Sequence, residues 1–145
     1  MPTVELLFSR RHAPTAPLLR LFAWSAWSHV ALLSSEGTVI EAVAFDGVRE
    51  IPLTQALKIA SRSEIVRLPC ADPAAAVAAA RSQLRKPYDW LGVAGIGLRR
   101  DWRDDSRWFC SELVAWAIEQ GGTPLFRAER IGRVTQEHLY MLAPA

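Results

Sequence analysis

Apolar residues fall into short strand-like runs in the first half of the chain and into longer helix-like blocks in the second. Val4–Phe8 has the length of a strand and reads as an edge strand. Pro14 and Pro17 open a short helix, Leu18–Trp24, with Leu18, Leu19, Leu21 and Phe22 on its apolar face. His29–Leu33 is a strand. Ser34, Ser35, Glu36 and Gly37 form a turn cluster, and Thr38–Ala44 is a second strand rich in β-branched residues. Asp46-Gly47 is a hairpin signal leading into a third strand, Val48–Pro52, so the pattern predicts an antiparallel meander.

Thr54 is placed to cap a helix through Ala60, and Glu64–Leu68 reads as a fourth strand with Ile65 and Arg67 alternating. Asp72 followed by Pro73 is an N-cap with proline at the first helical position. The Ala-rich stretch after it runs as a helix to Leu84, because Ala has the best intrinsic helix propensity, and Pro87 ends it. Asp89–Leu98 reads as a glycine-loosened helix and Arg99–Arg107 as a solvated loop. Phe109–Gln120 is apolar on most sides and stops at Gly121-Gly122, which predicts a helix in the middle of the fold. A last short helix runs from Thr135 to Leu142. The predicted class is α+β, an antiparallel sheet with helices packed against it, in a single domain spanning 1–145.

Composition narrows the function. The chain has 145 residues, half of them hydrophobic, enough for a core without staples. Net charge is +2, from 17 basic and 15 acidic residues, which gives no support for nucleic-acid binding. Two cysteines, Cys70 and Cys110, are too few for a disulfide framework or a four-cysteine zinc site. His12, His29 and His138 show no helical ligand spacing, and no run of eighteen apolar residues suggests a transmembrane segment. The first thirty residues lack the shape of a signal peptide, so the expectation is a chain that is cytoplasmic as synthesised, with reduced thiols.

Three residues are candidates for chemistry. Cys110 begins the apolar helix, where unpaired backbone N–H groups and the helix dipole favour a thiolate. Most free cysteines, however, are small buried hydrophobes. Cys70 has no polar neighbour of catalytic type and reads as structural. His29, at a strand start, is the natural base for a thiol, although a strand-end histidine more commonly bonds backbone. Glu41 interrupts an otherwise apolar strand, where an acid is costly unless paired or facing solvent. A connection of three or five residues between the two strands would put His29 and Glu41 on one face. A two-residue turn at Ser35-Glu36 would put them on opposite faces.

Four segments together resemble a known family: Ser28-His29-Val30-Ala31-Leu32-Leu33, Val39-Ile40-Glu41-Ala42, Lys86-Pro87-Tyr88-Asp89-Trp90 and Trp108-Phe109-Cys110-Ser111-Glu112-Leu113-Val114. They are similar to the YiiX-like, circularly permuted papain-like cysteine peptidases and amidases, related to NlpC-type peptidases and to lecithin retinol acyltransferase. The order His, acid, Cys is the permuted one. The resemblance implies a papain-like antiparallel sheet packed against helices, with the catalytic Cys at the N-terminus of a central helix. It implies Cys110 as nucleophile, His29 as base and Glu41 as orienting acid. Tyr88 is then an oxyanion donor or a bracing aromatic, and Trp27 and Trp108, which flank His29 and Cys110 in sequence, either line a substrate cleft or pack in the core. It implies no metal or organic cofactor.

The substrate expected from it is a peptide, a peptidoglycan stem peptide or another acyl compound. Amide hydrolysis comes first; thioester or lipid ester hydrolysis and acyl transfer are close variants. The reading from another class is a non-catalytic assembly module, for instance in a phage or prophage particle. Nothing in the sequence sets an oligomeric state. One departure stands out: the family often carries Gly shortly before the Pro-Tyr-Asp segment, where this chain has Arg85-Lys86.

Overall fold

The computed structural model describes residues 2–11, 29–43, 46–86, 110–126 and 136–142. Five strands, β1 (Thr3–Arg11), β2 (His29–Leu33), β3 (Thr38–Val43), β4 (Gly47–Pro52) and β5 (Ala60–Pro69), form one antiparallel sheet in the order β4-β3-β2-β1-β5. The helices are α1 (Leu53–Lys58), α2 (Pro73–Arg81), α3 (Cys110–Gln120) and α4 (Gln136–Tyr140). The expected helix Leu18–Trp24, the segment Asp89–Leu98 and the loop Arg99–Arg107 lie outside the described residues.

Alternation along the strands divides the core in two. On one face Val4, Leu6 and Phe8 of β1, Val30 and Leu32 of β2, Ile40 and Ala42 of β3 and Leu68 of β5 pack with Leu113, Val114, Ala117 and Ile118 of α3. Helix α3 touches β2, β3, α2 and α4, so the helix that is apolar on most sides does lie in the middle of the fold. On the other face Leu7, Ala31, Val39 and Ile51 pack with Ala56 of α1. The β4–α1–β5 connection crosses this second face and reaches both edges of the sheet.

Several elements differ from the sequence reading for identifiable reasons. β1 is no edge strand: it lies between β2 and β5, and Leu6, Leu7 and Phe8 are all buried because both faces are covered. Thr54 is not the cap of α1; the cap is Pro52, two residues earlier, with no side-chain cap hydrogen bond. Asp72 does cap α2, its Oδ1 accepting the Ala75 N–H at 3.0 Å. That helix ends at Arg81 rather than Leu84, and Arg85 takes a left-handed φ of 74°. Two backbone bonds hold it there: Arg85 N–H to the Val48 carbonyl at 2.7 Å, and Val48 N–H to the Lys86 carbonyl at 2.8 Å. Arg85 thus holds a conformation that glycine favours.

At the end of the sheet where β2 turns into β3, Arg81 of α2 donates to Glu50 Oε1 and Oε2 at 3.1 and 3.0 Å and to Glu36 Oε2 at 2.8 Å. Thr38 Oγ1 donates to Glu50 Oε2 at 2.5 Å. The Arg81 guanidinium holds both carboxyl groups below their ordinary range. Among the described residues no helix is long and apolar enough to cross a membrane.

Candidate active site

The β2–β3 connection decides where His29 and Glu41 point. Leu33 pairs with Val39, and the Ser34 N–H donates to the Thr38 carbonyl at 2.9 Å, which leaves Ser35, Glu36 and Gly37 as a three-residue loop. Gly37 supplies the positive φ of 78° that such a loop needs. The loop is odd, so His29 and Glu41 share a face. They are not directly opposite. The register that pairs Leu32 with Ile40 sets Val43 across from His29, and Glu41 reaches it along the diagonal.

His29 Nε2 lies 3.3 Å from Glu41 Oε2, with Glu41 0% and His29 6% exposed. The separation is that of an ion pair, and the approach falls short of an aligned hydrogen bond. Arg49 and Ser9 join the same face, and the sequence reading singled out neither. Arg49 pairs with Glu41 in the β3–β4 ladder, its Nη2 3.5 Å from Glu41 Oε2, while its Nη1 donates to Asp46 Oδ2 at 2.8 Å. A two-residue turn centred on Asp46-Gly47 would have set residue 52 opposite Glu41. Instead Gly47, with φ 73°, pairs with Val43 and is already in the ladder. Ser9 is buried and lies directly opposite His29 in the β1–β2 ladder. A sequence signal for Ser9 exists only once β1 is known to be an inner strand.

Cys110 is the first residue of α3 and is buried. The far end of that helix is fixed: the Gly121 carbonyl accepts the Asp72 N–H at 2.8 Å, beside Cys70, whose N–H donates to the Pro2 carbonyl at 3.0 Å. That corner is where β1 begins and β2 ends. An eleven-residue helix reaches about 16 Å and the five residues of β2 about 13 Å. Lying on β2 and β3, α3 therefore runs back from that corner toward the His29 end of β2. The two are reached from opposite faces. Cys110 belongs to the cluster under α3, whereas alternation turns His29 and Glu41 to the face of Leu7, Ala31 and Val39. His29 and Cys110 are the first described residues of β2 and α3.

The remaining candidates separate clearly. Neither Cys70 nor Cys110 is in a disulfide. Cys70 is buried, which pushes its thiol pKa up, and it packs against Gly121. His138 is exposed, its ring 6.4 Å from that of Phe126. Trp116 is half-buried against the main core. Tyr88, Trp27, Trp108 and His12 lie outside the described residues. Glu112, in the first turn of α3, is a fully buried acid to which the sequence reading gave no role. Among the described residues no group of three or more His, Cys, Asp or Glu side chains is arranged to hold a metal ion. A groove of about 660 Å³ opens at the other end of the sheet, lined by Thr3, Leu33, Glu36, Arg67, Asp72 and Arg81; neither Cys110 nor His29 nor Glu41 lines it.

This fold is found in a solved structure. The chain is similar to the crystal structure titled metalloprotein yiiX from Escherichia coli O157:H7, with a TM-score of 0.66 and 23% identity over 86% of this chain and 69% of that one. No curated protein matches significantly. Residues 5–138 match the family described as permuted papain-like amidase enzyme, YaeF/YiiX, C92. That match takes in β2, β3 and α3 together with the sheet they belong to, and the chain belongs to the permuted papain-like amidase family of YaeF and YiiX.

Proposed function

We propose that this protein is a thiol hydrolase that cleaves an amide bond through Cys110, His29 and Glu41, in one domain spanning 1–145. The observation that supports the reading is the buried His29–Glu41 pair, with α3 packed on β2 and β3 and running toward the His29 end of β2. Membership of an amidase family supports the same reaction class.

In this reading Nε2 of His29 faces Glu41, so Nδ1 is the nitrogen that takes the Cys110 proton. The thiolate attacks the amide carbonyl carbon, and the developing oxyanion is met by the Cys110 backbone N–H at the start of α3. The roles proposed for Tyr88, as a phenolic donor to the oxyanion, and for Trp27 and Trp108, as substrate contacts, come from the family resemblance and the sequence. Imidazolium then protonates the leaving amine as the C–N bond breaks, leaving an acyl-Cys110 thioester. Water, deprotonated by His29, attacks the thioester, releases the carboxylic acid and restores the thiol. Glu41 holds one tautomer of the ring and stabilises the imidazolium in both halves. The substrate class is a peptide or a peptidoglycan stem peptide.

Mass spectrometry of Cys110 after incubation with peptidoglycan fragments, model esters and acyl thioesters in turn tests this. An acyl adduct from the peptide substrates, absent in Cys110→Ser, is expected. Adducts from esters or thioesters alone would move the assignment to an esterase or acyltransferase. No adduct from any of them, together with equal iodoacetamide labelling of Cys110 in the native protein and in His29→Ala, would overturn it in favour of a non-catalytic module.

A further inference from the structure

We propose that Arg49 is a positioning residue for this site: anchored by Asp46, its guanidinium keeps the buried Glu41 carboxylate ionised and aimed at His29. The inference rests on the hydrolase reading above and extends its His29–Glu41 pair by Arg49 and Asp46. His29, Glu41, Arg49 and Asp46 run across β2, β3 and the start of β4, with separations of 3.3, 3.5 and 2.8 Å.

Three features support the role. First, His29 and Arg49 converge on the same oxygen, Glu41 Oε2, so the cation on β4 directly affects the charge that His29 meets. Second, burial is graded along the row. Glu41 is fully buried, Arg49 is about a quarter exposed and Asp46 is mostly exposed. A carboxylate with no water around it would take up a proton unless a cation offset its desolvation. Third, the register is built for the contact: Arg49 stands directly opposite Glu41, and Gly47, with its positive φ, is what sets that register.

Other charged groups among the described residues surround this row. Across β2, His29 is the titratable neighbour, and Ser9 of β1 beyond it is uncharged. Helix α1, on the same face, brings Lys58 at its exposed C-terminal turn. On the other face α2 brings Arg81, committed to Glu36 and Glu50, and α3 brings Cys110 and the buried Glu112.

The experiment is the pH profile of Cys110 alkylation by iodoacetamide, followed on the Cys110 peptide by mass spectrometry. Thiolate formation at Cys110 depends on imidazolium at His29, which depends on carboxylate at Glu41. Arg49→Gln should let Glu41 take its proton at higher pH and so move the alkylation midpoint up by at least half a unit. Arg49→Lys should restore more than half of that displacement. In a Glu41→Gln background Arg49→Gln should add nothing, which a merely structural ion pair would not produce. Asp46→Asn, at an exposed position, should give a smaller shift in the same direction, and it decides the question if Arg49→Gln does not fold. A midpoint unchanged in both Arg49→Gln and Asp46→Asn, while His29→Ala displaces it, overturns this inference and leaves the hydrolase reading standing. A midpoint unchanged in His29→Ala overturns both.

Discussion

Replacing Glu41 by Gln removes one charge and almost no volume, which isolates the electrostatic part of its role. At 3.3 Å, a unit charge on Glu41 and one on the His29 ring interact by about 5 kcal/mol at an effective dielectric of about 20. If the ring becomes charged only in the transition state, the whole of this is lost from catalysis, about three and a half orders of magnitude in rate. If thiolate and imidazolium already coexist in the resting enzyme, only the difference between the two states counts. The expected loss in single-turnover acylation of Cys110 is therefore between about a hundredfold and several thousandfold. The fold should survive. Arg49 keeps Asp46 at 2.8 Å and partial access to water, so the cost should be about 1–2 kcal/mol, well inside the ordinary stability of a domain. The assay pairs acyl-Cys110 formation with urea unfolding of the same variant. Acylation within tenfold of the native rate, in a variant that unfolds at nearly the native midpoint, would refute the argument that Glu41 supports charge on His29.

Three further outcomes follow from other parts of the molecule. In Gly121→Ala the new Cβ would stand 2.6 Å from Cys70 Sγ and 2.8 Å from the Asp72 carbonyl oxygen, so the α2–α3 corner must shift. A loss of about 1–3 kcal/mol in urea unfolding is expected, and a neutral result would show that the corner yields freely. Arg85→Gly should raise the melting temperature by a few degrees at most, because relief of the left-handed backbone, about 1–2 kcal/mol, exceeds the extra entropy of glycine in the unfolded chain, about 0.4–1 kcal/mol; a fall in melting temperature would contradict this. Glu36 and Glu50 have depressed folded-state pKa values because of Arg81, so their contribution to stability is present above the unfolded carboxylate pKa of about 4.3 and is lost as pH falls through the folded values. Arg81→Met should therefore flatten the dependence of stability on pH below about pH 5, read from unfolding midpoints, and an unchanged slope would remove Arg81 as the cause.

The strands and helices were legible wherever local chemistry agreed with the global fold. Asp72-Pro73 announced α2 by its cap, and the unbroken apolar surface of Phe109–Gln120 announced a central helix; both signals are local. β1 was misjudged as an edge because Val4–Phe8 says that a strand is apolar on both sides without saying what lies beside it. Only the pairing with β2 and β5 explains why Leu6, Leu7 and Phe8 are all buried. The same limit hid Arg49. Its role depends on a register set by Gly47, and one residue of slip in that hairpin would send Arg49 to the other face.

His29 and Glu41 were legible for the complementary reason. An acid inside a β-branched strand has few affordable fates, and a histidine one hairpin away is one of them. The three-residue loop Ser35–Gly37 then selects the shared face, and Val43 opposite His29 turns the contact into a diagonal one. Cys110 is harder to place from sequence, because it approaches this pair from the opposite side of the sheet. The permuted order suits this arrangement. His29 and Glu41 come from one hairpin whose loop sets their relation, and Cys110 has only to arrive at the correct end of β2. The length of α3 and the clasp between Gly121 and Asp72 at its far end are sufficient to specify that.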